Sequence, residues 1–496
     1  MALIQHFIAG KQTPGLSVRK HPVYDPAKGV AIREVLLAEP GDVATAVASA
    51  KQAFAGWSEM SWANRQQILF RFRELLNQRR PELAAIITEE HGKVLSDALG
   101  EVTRGQEVVE FALGAPHLTK GEHSEQVSTG VDVFSLRQAL GVVAIISPFN
   151  FPAMVPMWFF PLALATGNTV VLKPSEKDPS AAMWIAELLT EAGLPDGVFN
   201  VLQGDKVAVD GLLTHPDVKA VSFVGSTPIA KYVFETATAH GKRVQSLGGA
   251  KNHMLVLPDA DLDLAADAAI NAGFGSAGER CMAISALLAV DTIADELVAK
   301  ISQRMSTLTT GDGRRACDMG PLITKEHRDK VASYIEIART DGASVVVDGR
   351  DVTVDGDASG FWLGPTLIDH VPTESKVYRD EIFGPVLSVV RVPSFEAGVA
   401  LINASEFGNG TAIFTNDGGA ARRFQREVQV GMIGINVPIP VPVASFSFGG
   451  DKASIFGDLK AHGADGIRFF TKTKAVTQRW LDPSHGGINL GFPQNN

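Results

Sequence analysis

From residue 141 onward, short β-rich apolar runs alternate with helical stretches at intervals of roughly thirty residues. "GVVAIIS" (141–147) ends in the turn "PFNFP". "TVVLKPSE" (169–176), "GVFNVLQG" (197–204) and "VKAVSFVGS" (218–226) follow, each separated from the next by a segment of helical character. Runs that are apolar throughout belong to strands buried on both faces. The pattern predicts βαβ units wound into a parallel sheet with helices on both sides, an α/β fold. A second set begins near 252 with "NHMLVLP", continues through "AISALLAVD", "ELVAKISQRMSTL" and "ASVVVDG", and closes near "GIRFFT". The chain therefore reads as two parallel-sheet α/β domains divided near residue 250. Ahead of them, residues 45–112 carry apolar positions at three- and four-residue spacing and are expected to be mainly helical. "STGVDVFSLRQA" (128–139) reads as a strand excursion that joins neither sheet, and the polar segment after 480 as one that packs on a partner or frays.

A chain of 496 residues is too long for one core, which agrees with this division. Acids outnumber bases, 55 to 45, for a net charge of −10. That balance argues against a nucleic-acid or anionic-membrane surface. The two cysteines, Cys281 and Cys317, cannot supply a disulfide framework or a cysteine-based metal site, so no metal is expected and a reducing compartment is. The opening "MALIQHFIAGKQ" lacks a basic region followed by an apolar one, and a cytoplasmic location is expected, or a mitochondrial one after processing. "MWFFPLALATG" (157–167) is apolar but short, and is expected as a buried core helix.

Open parallel sheets hold ligands at the carboxyl ends of their strands. "SFVGSTPIAK" puts Gly225 and Ser226 at a strand-to-helix turn, where free N–H groups favour a phosphate. Lys173 and Glu176 follow the second strand. They can hydrogen-bond ribose hydroxyls, and the carboxylate would repel a 2′-phosphate, favouring NAD over NADP. No GxGxxG fingerprint occurs here, and each feature alone equally fits an ordinary turn or a solvated loop. Cys281, in "GSAGERCMA", sits where small residues let backbone approach a ligand, and a thiolate is a strong nucleophile towards carbonyl carbon. Cys317, in the polar "RRACDMG", reads as incidental. Asn150, in "SPFNFP", can donate to an oxyanion together with the Cys281 N–H; on residue type alone, holding the turn is the simpler role.

Taken in order, "SPFNFP", "VVLKPSE", "FVGST", "LGG", "GERC", "EIFGPV" and "SFGGDKAS…GIRFFT" resemble the aldehyde dehydrogenase superfamily across nearly the whole chain. The resemblance implies Cys281 as nucleophile and Asn150 as oxyanion donor. It places Ser147, Phe149, Lys173, Glu176, Lys177, Ser226 and Gly248 around NAD, with Glu381 on the nicotinamide ribose. It implies an aldehyde dehydrogenase-like fold of NAD-binding domain (1–127 and 140–250), catalytic domain (251–445) and a small oligomerisation strand region (128–139 and 446–496), in a homo-oligomer, dimer or tetramer.

One departure is informative. Hydrolytic members carry "ELGG", whose glutamate activates water; here the stretch is "QSLGG", with Ser246 in that position. A thioester formed on Cys281 would then await a better nucleophile than water, such as the thiol of coenzyme A. "GEVTRG", "LGGAKNHM", "GSAGERCMAIS" and "KAVTQRW" are similar to the CoA-acylating branch, which acts on methylmalonate and malonate semialdehydes. That likeness places Arg104 and Arg280 on the substrate carboxylate, where a planar guanidinium fork is suited. A solvated helix face for Arg104, and a salt bridge of Arg280 with Glu279 or a distant acid, are the competing readings. A hydrolytic enzyme with another base is the alternative for the whole.

Overall fold

The computed structural model describes residues 1–354, 356–480, 482, 488, 490 and 491. Its first large sheet is built on five parallel strands, β1 (Val142–Ile146), β2 (Thr169–Lys173), β3 (Phe199–Val201), β4 (Val218–Val224) and β5 (Arg243–Leu247). They lie in the order β5-β4-β1-β2-β3. Every residue of β1 and β2 is buried, which is why these runs are apolar throughout. Antiparallel edge strands extend the sheet, His6–Ile8 and Lys11–Thr13 beyond β3 and Ile455–Phe456 beyond β5. The chain winds outward from β1 through β2 to β3, then returns to β4 on the other side of β1. A crevice opens at such a reversal, at the carboxyl ends of β1 and β4.

The second sheet holds β6 (Asn252–Val256), β7 (Ile284–Val290), β8 (Thr366–Asp369), β9 (Val386–Val392), β10 (Gly410–Phe414) and β11 (Met432–Ile435). These six are parallel, in the order β8-β9-β7-β6-β10-β11, and Ser344–Val347 adds an antiparallel edge beside β8.

Three helices bring the first domain's core up to the crevice. α1 (Trp62–His91) starts at Ser61, whose hydroxyl accepts the Asn64 N–H at 3.3 Å, and kinks at Arg79 ahead of Pro81. α2 (Leu95–Ala112) buries Val102, Val108 and Val109. α3 (Met154–Ala165) is buried along all 12 residues, as expected of a core helix. Gly105 lets α2 close on α3, since a Cβ there would lie 2.4 Å from Met157 Cε. α4 (Thr227–Ala239) leaves β4, α5 (Leu262–Phe274) lies between β6 and β7, and α6 (Lys325–Thr340) follows β7. No described helix is long and apolar enough to cross a membrane.

Val131–Ala139 pairs antiparallel with Thr471–Arg479, and His123–Ser128 pairs with its other side. This three-stranded ribbon is separate from both large sheets. The stretch 446–470, expected in the oligomerisation region, also packs on the body of this chain. Phe448 packs on Trp158 at 4.4 Å between ring centroids, and Ile455–Phe456 pairs with β5. "GIRFFT", expected to close the second set of strands, is mostly the helix Gly463–Phe469, with Ile467, Phe469 and Phe470 in the core around α3. A short apolar run has no periodicity that separates strand from helix. A small sheet of Ala2–Ile4, Lys20–Asp25 and Val30–Leu36 also forms, for which the sequence offered no reading. The polar segment after 480 falls almost wholly outside the described residues.

Candidate active site

The loop that carries Cys281 leaves α5 through a tight turn, Gly275–Gly278, in which Ser276 and Ala277 adopt φ of 54° and 52°. Left-handed backbone at residues with a side chain costs of order 1–3 kcal/mol each and is retained where the surroundings over-determine it. The surroundings do so here. A Cβ on Gly275 would fall 2.5 Å from Arg280 Nη1, and one on Gly278 would fall 2.2 Å from the Gly384 carbonyl oxygen. The small-residue run is therefore the space that Arg280 and the "FGP" backbone occupy. Two asparagines fix the far end of the loop. Asn252 and Asn409 donate from Nδ2 to the Cys281 carbonyl at 2.9 and 3.1 Å, tying Cys281 to the heads of β6 and β10.

Cys281 lines two cavities at once. One, of about 500 Å³, lies in the crevice beyond β1 and β4 and is lined also by Phe149, Asn150, Ser226, Gly248 and Glu381. The other, of about 480 Å³, is walled by α2, Phe151, Trp158 and Phe448 and contains both Arg104 and Arg280. Asn150 is buried beside the cysteine loop. Its Nδ2 donates one hydrogen to the Glu279 carbonyl at 3.0 Å, which fixes the amide plane and leaves the second Nδ2 hydrogen for a ligand oxygen.

Both arginines are paired. Arg280 donates from Nη2 to Asp97 Oδ1 at 2.6 Å, so the distant-acid reading of this residue holds alongside its place in the cavity. The neighbouring Glu279 is not its partner. That side chain turns inward: Oε1 accepts the Ile323 N–H at 3.3 Å and lies 3.6 Å from His327 Nε2, and Oε2 lies 3.7 Å from His91 Nε2. Arg104 donates to Glu107 at 2.8 Å and to the Val441 carbonyl at 3.4 Å. Asp97, Glu101 and Arg104 recur at helical spacing and present one face of α2 to this cavity.

The remaining expected residues gather at the crevice without all lining it. Ser147 follows β1, and its buried Oγ has no hydrogen-bond partner among the described residues. Lys173 ends β2 and donates to Glu176 at 3.3 Å. Lys177 lies over the Phe149 ring at 4.5 Å. Ser226 is the exposed N-cap of α4, and its side chain does not cap the helix. At Gly248 a Cβ would come within 2.8 Å of the Ala453 carbonyl, and at Gly249 within 2.2 Å of Glu381 Oε2. Gly249 is what lets the Glu381 carboxylate reach the cavity, with Oε1 held by the Ala250 N–H at 2.9 Å.

Residues 13–476 match the profile of the aldehyde dehydrogenase family. The chain belongs to that family. A malonate-semialdehyde dehydrogenase of Pseudomonas aeruginosa is 52% identical, the match covering 99% of this chain and 100% of that protein. The crystal structure of a methylmalonate-semialdehyde dehydrogenase from Oceanimonas doudoroffii superposes with a TM-score of 0.96 at 53% identity, covering 98% of this chain and 99% of the other. A Sinorhizobium meliloti structure, solved as a complex with NAD, gives a TM-score of 0.96 at 50% identity over 97% of this chain and 99% of that one.

The electrostatics of this site favour a protonated Cys281. Burial, and then the charge of Glu381, push the Cys281 thiol up to about 12. The backbone N–H groups of Cys281 and Met282 and the Arg280 guanidinium pull the other way and are outweighed, so proximity to Arg280 does not make a thiolate by itself. Burial also pushes Glu381 up to about 7 and Glu279 up to about 8. Ser246, which stands where hydrolytic members have glutamate, is fully buried and donates to the Ala230 carbonyl of α4 at 2.8 Å. It lines neither cavity that Cys281 shares.

Sequence reasoning missed Asp97, Lys93, Glu101, Asn252 and Asn409. The signal for the α2 acids was available in the spacing of Asp97, Glu101 and Arg104. Lys93 and the two asparagines act on backbone carbonyls, and no side-chain pattern announces that.

Proposed function

We propose that the protein oxidises methylmalonate and malonate semialdehydes with NAD⁺, releases CO₂ and passes the acyl group to coenzyme A, giving propionyl-CoA or acetyl-CoA. The observation that carries this reading is the position of Cys281 between two cavities, one with a pair of arginines and neither containing a glutamate at position 246. The names of the close relatives support the substrate class. The crevice cavity suits NAD. It offers the open N-terminus of α4 and the notch at Gly249 that admits Glu381, and the unpartnered Ser147 hydroxyl stands next in the chain to Pro148, which lines it. Ser147, Phe149, Lys173, Glu176, Lys177, Ser226, Gly248 and Glu381 would hold it. Bound NAD⁺ supplies the acceptor for the aldehyde hydride.

The chain's own groups do the rest. The substrate carboxylate lies against Arg104 and Arg280, which presents the aldehyde carbon to Sγ of Cys281. Sγ adds to that carbon as its proton passes to solvent water, and the carbonyl π electrons move onto oxygen to make an oxyanion. The free Nδ2 hydrogen of Asn150 and the Cys281 N–H stabilise it. Loss of hydride restores the C=O double bond and leaves a thioester on Cys281. The carboxylate is then β to the thioester carbonyl, and the C–CO₂ bond breaks as its electron pair passes into a thioester enolate. The enolate oxygen occupies the place of the earlier oxyanion, so Asn150 serves both steps. Protonation at carbon gives a propionyl or acetyl thioester. With Ser246 bonded to α4 and no carboxylate in its place, water is not activated there. The thiolate of coenzyme A attacks the carbonyl and Cys281 Sγ departs.

The separate strand ribbon exposes Val127 and Leu136, which supports assembly into a homo-oligomer through it. Intact-protein mass spectrometry tests the chemistry. With methylmalonate semialdehyde and NAD⁺ but no CoA, a propionyl adduct is expected on Cys281 and none on Cys281→Ala. A methylmalonyl adduct would overturn the order of steps, and no adduct would overturn the thioester.

A further inference from the structure

Two buried charges outside the proposed chemistry hold the oxyanion donor in place. Lys93, just beyond α1, and Glu101, on α2, form an ion pair at 2.7 Å, and both side chains are fully buried. Removing two charges from water costs several kcal/mol, and a hydrophobic pair would pack the same space more cheaply. The pair makes specific further contacts. Lys93 Nζ donates to the Asn150 carbonyl at 2.6 Å and lies 4.3 Å from the centre of the Phe151 ring. Glu101 Oε1 accepts the N–H groups of Ala153 and Met154 at 2.9 and 3.1 Å. Two ammonium hydrogens and both carboxylate oxygens are thereby engaged, and every hydrogen bond named beyond the pair itself ends on residues 150–154.

We infer that Lys93 and Glu101 are positioning residues for the oxyanion donor: together they clamp the turn from both ends and fix where the Asn150 amide points. The same helix, one turn before Glu101, carries Asp97, the partner of Arg280. α2 thus sets the oxyanion donor and the substrate-binding cation in one frame, each lining a cavity that Cys281 also lines. Catalytic hydrogen-bond donors are effective only when held to within about half an ångström of the developing charge. The clamp supplies that constraint without touching substrate. Its chemistry rests on the proposed function only in that Asn150 receives an oxyanion.

A double-mutant cycle tests it. The rate constant of the first NADH turnover is measured for the wild type, Lys93→Met, Asn150→Ala and the double variant. NAD⁺ affinity is followed in parallel by protein fluorescence. The expected result is a drop of about 10–100-fold for Lys93→Met, NAD⁺ affinity within about threefold, and little further loss when the substitution is added to Asn150→Ala. A merely structural lysine would give losses that multiply, and that result overturns the inference, as does a Lys93→Met rate within about threefold of the wild type. If Lys93→Met does not fold, Glu101→Gln, which keeps one acceptor oxygen, runs the same cycle with the same criteria. Absence of NADH from the wild type itself would instead reject the proposed function, so the two failures are distinct.

Discussion

Replacing Arg280 should separate carboxylated aldehydes from plain ones, provided its partner is replaced as well. Arg280→Gln alone would leave Asp97 unneutralised beside the cavity, so the informative protein carries Arg280→Gln with Asp97→Asn. The two side chains are 22% and 17% exposed. That is dry enough for an effective dielectric near 20, at which opposite charges about 4 Å apart attract by about 4 kcal/mol. Desolvation of the substrate carboxylate and the competing claim of Asp97 on the guanidinium reduce the net loss to about 2–3 kcal/mol, or about 30–150-fold. The assay is kcat/KM from NADH absorbance, for malonate semialdehyde and for propanal, which lacks the carboxylate. Malonate semialdehyde should lose that factor and propanal should stay within about threefold. Asp97→Asn alone should act oppositely on binding, since it removes a competitor, and lower KM for the semialdehyde. Equal losses for both aldehydes would refute the reasoning. Arg280 would then be a structural partner of α2, and Gly275, which makes room for its guanidinium, a packing residue.

Further consequences follow from the same geometry. Because the Cys281 thiol is pushed up to about 12 in the unliganded protein, the thiolate fraction should rise about tenfold per pH unit between 7 and 10, and iodoacetamide labelling should rise with it. Glu381→Gln removes a charge that disfavours the thiolate, so labelling at pH 8 should accelerate; slower labelling would contradict the assigned electrostatics. Cys317 is held by the Asp312 carbonyl at 3.4 Å, away from both cavities, and Cys317→Ser should leave NADH formation unchanged. Arg65 donates to the carbonyls of Ala165, Trp57, Ser58 and Met60, so Arg65→Ala should cost about 3–5 kcal/mol, read as a lower thermal midpoint.

Much of the architecture was legible because buried parallel strands leave unbroken apolar runs, and β1, β2, β4 and β6 were each readable from theirs. The helix Gly463–Phe469 was not. Its Ile467 and Phe469 join the core around α3 from a distant part of the chain, and a seven-residue helix carries too little periodicity to betray its partner. The site divides in the same way. Cys281, Asn150, Arg104 and Arg280 could be singled out because their side-chain types suit the proposed chemistry, and the structure gathers all four around the two cavities. Lys93, Asn252 and Asn409 hold backbone carbonyls, contacts that exist only once the chain is folded. Arg280, next to Cys281 in the chain, pulls the thiol down, but the depth of burial that overrides it is a property of packing.

The most direct test of the central claim is NADH formation from methylmalonate semialdehyde and NAD⁺, with and without coenzyme A, with the products identified by mass spectrometry. The account predicts one rapid turnover without CoA, sustained turnover with it, and propionyl-CoA as the product. Sustained turnover to a free acid without CoA would contradict it, because water would then be activated by a group other than the absent glutamate that Ser246 replaces.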